Sequence, residues 1–157
     1  QTMKRIVKLL VIGALALAGY ACESPPNEPV NPGTVELEVT PNNISGSWEL
    51  SLWNGSDVPD GVFVYIDFVR SDRTFKMYQN IDSHYTRTLT GRYYIYIDEE
   101  LGVAVLRGEY DHGTGEWNHR YIVESLTAQR MKLVAKDSPE EWCVYTRATI
   151  PADILGE

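Results

Sequence analysis

Apolar residues fall at every second position through most of the chain beyond Gly46, and this constrains the fold more than any other feature. In Ser47–Trp53, Trp48, Leu50 and Leu52 share one face, while Ser47, Glu49 and Ser51 share the other. Val62, Val64, Ile66 and Phe68 repeat the pattern, and Phe75 and Met77 continue it. Further on, Leu89, Gly91, Tyr93, Ile95 and Ile97 oppose Thr88, Thr90, Arg92, Tyr94 and Tyr96. A period of two is the mark of strands buried on one side only. Ten Tyr and four Trp point the same way, since aromatic residues suit a pleated, half-buried surface.

Turn-forming clusters cut the pattern into about eight strands: 47–53, 62–70, 74–80, 85–98, 103–107, 117–125, 131–135 and 142–149. Gly91, inside the longest, predicts a bend or bulge. Glu109 to Gly115 reads as a polar turn. Helical periodicity is confined to Pro151–Leu155. Eight sequential strands with short connections most simply close into an all-β, up-and-down barrel, which leaves no exposed edge. A β-sandwich or an open, rolled sheet shares the same periodicity. Gly46 and Trp48 open the first strand: a glycine for a tight start, then an indole that plugs one end of the core.

Three segments follow from the composition. Residues 1–21 carry Lys4, Arg5 and Lys8, an apolar run from Leu9 to Ala18 and small residues before Cys22, which is the layout of a signal peptide. Small residues followed directly by cysteine resemble the lipobox of bacterial lipoproteins, which implies cleavage before Cys22 and acylation of that residue. Residues 22–43 hold Pro25, Pro26, Pro29, Pro32 and Pro41 and predict an extended tether. Within it, Val35-Glu36-Leu37-Glu38-Val39 alternates and offers a short edge strand. Residues 44–157 form the barrel domain. The formal net charge is −8 with the basic leader included, so the rest is more acidic still and repels nucleic acid. With Cys22 lipidated, Cys143 is a lone thiol, read as a small apolar filler beside Trp142 and Val144.

The chain resembles the lipocalin-like lipoproteins of Bacteroidetes envelopes. Gly46-Ser47-Trp48 is similar to the opening motif of that group. Phe68-Val69-Arg70-Ser71-Asp72-Arg73-Thr74-Phe75 is similar to its second hairpin. Tyr121-Ile122-Val123-Glu124-Ser125-Leu126-Thr127 with Met131-Lys132-Leu133 is similar to its late strand pair. The Asp-Tyr signature of vertebrate lipocalins is not recognisable. The resemblance implies a lipocalin-like barrel in which Arg147 packs over Trp48, with Gly46, Trp48 and Arg147 as structural residues.

Four kinds of site are open to such a chain. A barrel of eight strands either fills itself with side chains or holds one small ligand; the candidate lining is Ile66, Phe68, Phe75, Met77, Tyr93 and Ile95. Asp111, His112, Glu116 and His119 offer metal ligands around one turn, but their spacing matches no zinc pattern, so no metal or cofactor is expected. No Ser/His/Asp order, phosphate loop or His-Glu-x-x-His motif appears, and the chain is read as non-enzymatic. Tyr65, Tyr94, Tyr96 and Tyr145 are placed on the outer face, where aromatic rows serve either an interface or cross-strand pairing. The expectation is therefore an outer-membrane lipoprotein, facing the periplasm or the cell surface, that binds a small apolar molecule. The other reading is an assembly module with a filled barrel that docks to a second envelope protein.

Overall fold

The computed structural model describes residues 31–157. The signal peptide, Cys22 and the tether up to residue 30 lie outside the described residues.

The strands are β1 (Gly46–Trp53), β2 (Ser56–Asp57), β3 (Val64–Val69), β4 (Thr74–Gln79), β5 (Arg87–Ile97), β6 (Ala104–Tyr110), β7 (Tyr121–Leu126), β8 (Arg130–Ala135) and β9 (Trp142–Arg147). β2 folds back on the end of β1 as a two-residue ribbon. The other eight pair antiparallel with their sequence neighbours, and β9 pairs with β1 to close the barrel. The all-β, eight-stranded reading therefore holds, and a sandwich is ruled out by the β1–β9 ladder.

Two bulges set which side chains enter the barrel. Across from β9, Leu50 pairs with Tyr145 but Leu52 pairs with Val144, so Ser51 is one extra residue. The side-chain alternation slips at that point. Leu52, expected beside Trp48 and Leu50, turns to the other face, and Trp53 opposite Cys143 takes the inward phase. A second bulge at Glu124 keeps both Val123, opposite Leu133, and Leu126, opposite Met131, inside. The same registers correct the expected position of Tyr145. As the direct partner of Leu50 it faces the interior, because paired residues share a face.

Gly91 lies in an unbroken ladder, opposite Tyr110, rather than at a bulge. Its missing side chain makes room: a Cβ there would stand 2.0 Å from the Glu109 carbonyl oxygen and 2.8 Å from the Phe75 ring. Gly108 does the same for Trp117, whose indole lies 2.1 Å from where a Cβ would be. Trp117 was expected to begin a strand. It instead leaves the ladder, with Glu109–Glu116 a lone bridge, and β7 starts at Tyr121. The expected polar turn from Glu109 is likewise later: β6 continues through Tyr110, whose side chain packs on the core.

One end of the barrel is plugged. Thr40 caps the single turn α1 (Pro41–Ile44) by accepting from Asn43 N at 3.1 Å, and Pro41 fits its first position. This turn delivers Ile44 beneath the barrel. Ile44 and Trp48 are fully buried, and Trp48 Nε1 donates to the Ile44 carbonyl at 2.8 Å. The register opposite Trp48 brings Arg147 over the indole, with Cζ 3.8 Å from the ring centroid. The guanidinium donates to the carbonyls of Ser45 (2.6 Å), Asn43 (3.2 Å) and Ala128 (3.3 Å). Gly46 has φ +102°, and a Cβ on it would come within 3.1 Å of Arg147 Nη1, so this position needs glycine on both grounds.

The packed chain begins before Ile44. Glu36 accepts from Ser125 Oγ (2.5 Å) and Leu126 N (3.1 Å), and these bonds hold its carboxyl below the usual range. Leu37 N donates to the Leu126 carbonyl at 2.7 Å, and Leu37 and Val39 pack on the core. No strand forms over Val35–Val39. The chain thus reaches the domain along the β7–β8 turn, at the plugged end.

Candidate ligand-binding site

The other end holds a cleft in two compartments. The inner chamber has a volume of about 120 Å3 and is walled by residues that include Phe68, Tyr110, Trp117, Tyr121, Leu133 and Tyr145. The outer vestibule has about 260 Å3 and reaches Trp53, Ile81, Trp142 and Glu141 at the rim. Met77, Asn118, Tyr121, Cys143 and Tyr145 line both, which makes them parts of one opening into the barrel. Trp53 and Ile81 are 46% and 38% exposed, so the rim is apolar and wet.

Aromatic contacts order the chamber wall. Phe75 meets Trp117 and Tyr110 edge to face, at 5.1 and 5.9 Å between centroids, and Trp117 leans on Tyr121 at 6.3 Å. These separations suit aromatic pairs. Burial pushes the phenols of Tyr110, Tyr121 and Tyr145 upward and pushes the Cys143 thiol up to about 12. All four are neutral at neutral pH. Among the described residues, no Lys or Arg lines either compartment.

Comparison with protein-family models, with curated proteins and with solved structures found no match.

The six expected lining residues divide in three ways. Ile66, Phe68 and Met77 do line the chamber. Phe75 and Tyr93 are buried in the solid part of the core, at 0% and 1% exposure. Ile95 packs at the core's edge and borders a groove where Glu38–Pro41 cross β5, at the plugged end. The alternation placed all six inside the barrel but carried no information on depth along its axis. Tyr110, Trp117, Tyr121, Cys143 and Tyr145 were missed as wall residues. The facing glycines, Gly91 opposite Tyr110 and Gly108 opposite Tyr93, were the available signal, since small residues on paired inner positions leave space that large rings must enter.

His119 closes the rim on one side. Its Nδ1 and Nε2 lie 2.7 Å from Asp137 and Glu141, so one imidazole ties the start of β7 to the β8–β9 turn. Asp137, accepting at Nδ1, raises the His119 pKa, with Glu141 adding to it. The raised folded value means that protonation favours the fold. This stabilisation is full below the ordinary value of 6.5 and is lost as pH rises through the raised one. His119→Gln should therefore lower the melting temperature by a few degrees at acidic pH and by much less in alkali. Equal losses in melts at both pH values would show that the clasp carries no charge. Asp111, in the turn that offered candidate metal ligands, accepts from Thr90 Oγ1 at 2.7 Å, away from His119's two partners.

Cys143 reports on the chamber directly. At about pH 8 an ordinary thiol, of pKa about 8.5, is roughly one-quarter thiolate, the reactive form. With its pKa pushed up to about 12, Cys143 should react with a thiol reagent roughly a thousandfold more slowly in the native Cys22→Ser protein than in urea. Matched rates in the two states would place the thiol in water.

Proposed function

We propose that this chain binds a small apolar molecule in the open half of its barrel, as a non-enzymatic, lipocalin-like lipoprotein of a Gram-negative outer membrane. The observation that carries the reading is the cleft itself: plugged below by Trp48 and Arg147, open above at Trp53 and Ile81, and walled by Met77 and aromatic rings. Its compartments together reach the lower end of small-ligand sites, about 300–1,000 Å3. The envelope address rests on the basic start, the apolar run and Cys22, and acyl chains there would add roughly 0.8 kcal/mol of membrane affinity per buried methylene.

The assembly reading keeps less support, because its outer tyrosines are engaged within their own sheet. Tyr65 is buried and donates to Glu49 at 3.2 Å, and Tyr94 carries the Arg107 guanidinium 4.1 Å above its ring. Native mass spectrometry of the protein, purified gently from its own envelope, tests the choice. A discrete small added mass supports the carrier. A bare chain, or one that arrives with a second protein, supports the assembly module. A Cys22→Ser variant should leave the membrane fraction, and one that stays there refutes the anchor.

A further inference from the structure

The chamber's polar groups say more about the ligand than its size does. Tyr110, Tyr121, Tyr145 and Cys143 all line the same small space. Among the described residues, none of these hydroxyls or the thiol makes a hydrogen bond within the protein, while Tyr65 and Tyr94 outside the barrel both do. The indole Nε1 of Trp117 in the same wall is buried and also without a partner. The wall therefore presents neutral O–H, S–H and N–H donors that have nothing in the protein to donate to. Of the donors in this wall only the Trp117 N–H is fully removed from water, which is costly without a partner; the hydroxyls still reach water, which a ligand acceptor would replace.

Charge narrows the class further. A carboxylate head would find no Lys or Arg in either compartment, and Glu141 stands at the rim. A cation would find no carboxylate in the chamber, where the polar neighbours are the neutral Asn118 amide and Tyr, Trp and Cys side chains. In the chamber either ion would shed its water for no counter-charge, and in the vestibule His119 and Glu141 are already paired with each other at 2.7 Å. Size completes the description: an apolar cavity of about 150 Å3 holds one benzene ring, so a chamber of about 120 Å3 takes a single ring at most. Anything longer must run out past Met77 toward Trp53, Ile81 and Trp142.

We propose that the ligand is a neutral single-ring carbonyl compound, its oxygen accepting from the Tyr121 and Tyr145 hydroxyls and its apolar tail lying in the vestibule. This rests on the carrier reading above and names the ligand class for the same cleft.

The test is calorimetric titration of the full-length protein with four probes of one shape. They are para-butylacetophenone, para-butyl-α-methylstyrene (the same skeleton with a methylene for the oxygen), para-butylbenzoate and para-butylphenyltrimethylammonium. The ketone should bind roughly tenfold more tightly than the hydrocarbon, the size of one to two neutral hydrogen bonds. In a Tyr121→Phe, Tyr145→Phe protein, with its fold checked by circular dichroism, ketone affinity should fall to the hydrocarbon's. Equal binding of ketone and hydrocarbon to the unaltered protein overturns the donor assignment but leaves the carrier standing. Tighter binding of the benzoate or the ammonium overturns neutrality and likewise leaves the carrier. If no probe binds, and none slows labelling of Cys143, the carrier reading falls with this one.

Discussion

Trp48→Ala is expected to destabilise the domain by about 3–5 kcal/mol, the range for a large aromatic side chain removed from a core. Trp48 is fully buried, and three interactions end with it. Its Nε1 no longer donates to Ile44, the α1 turn loses the surface it packs on, and Arg147 loses the ring beneath it. The cation–π contact alone is worth about 0.5–2 kcal/mol, and the guanidinium is left partly buried over a void. Domains of this size are stable by roughly 5–15 kcal/mol, so the variant sits near the limit of folding. Urea or thermal unfolding measures it directly. A midpoint within about 1 kcal/mol of the parent would mean that the plug is dispensable and that β1–β9 pairing alone holds that end.

Gly91→Ala is expected to be nearly as damaging, although it adds one methyl group. Extra volume in a packed core costs about 1–3 kcal/mol when side chains can shift to admit it. Here the nearest obstacle is backbone: the Glu109 carbonyl oxygen, 2.0 Å from the new Cβ, with Phe75 at 2.8 Å behind it. The oxygen cannot move without opening the β5–β6 ladder. A loss above about 3 kcal/mol is expected, at the high end of single-residue effects. Gly108→Ala is the control. Its clash is with the Trp117 side chain at the edge of the chamber, which has space to swing into. It should fall in the ordinary range of about 1–3 kcal/mol while narrowing the chamber. Equal losses in the two unfolding curves would mean that the strands separate as easily as the indole turns.

These two positions also mark how far the sequence could be read. Alternation is local, so the strand count, the inward faces of β3, β4 and β5, and the barrel as the simplest closure all followed from it. Trp48 as a plug and Arg147 above it followed from the motif and the resemblance, and the β1–β9 register carries both. What could not be read depends on single inserted residues and on axial position. Ser51 and Glu124 look like ordinary strand residues, yet each shifts the phase of the residues after it, which is why Leu52 takes the other side; Tyr145, in the unbulged β9, is set inward by its pairing with Leu50, which its own neighbours do not reveal. Trp117 could not be placed from its neighbours, because what draws it inward is Gly108, a residue of another strand. The wall of the cleft is thus a product of register, which exists only once strands have paired.

The approach of the chain along the β7–β8 turn has a consequence for orientation. Glu36 and Leu37 are fastened at the plugged end, and the rim of Trp53, Ile81 and Trp142 lies at the other. Whatever holds the N-terminal side holds the domain by its base, like a cup on a stem. A tug from that side loads the plug first and the rim last.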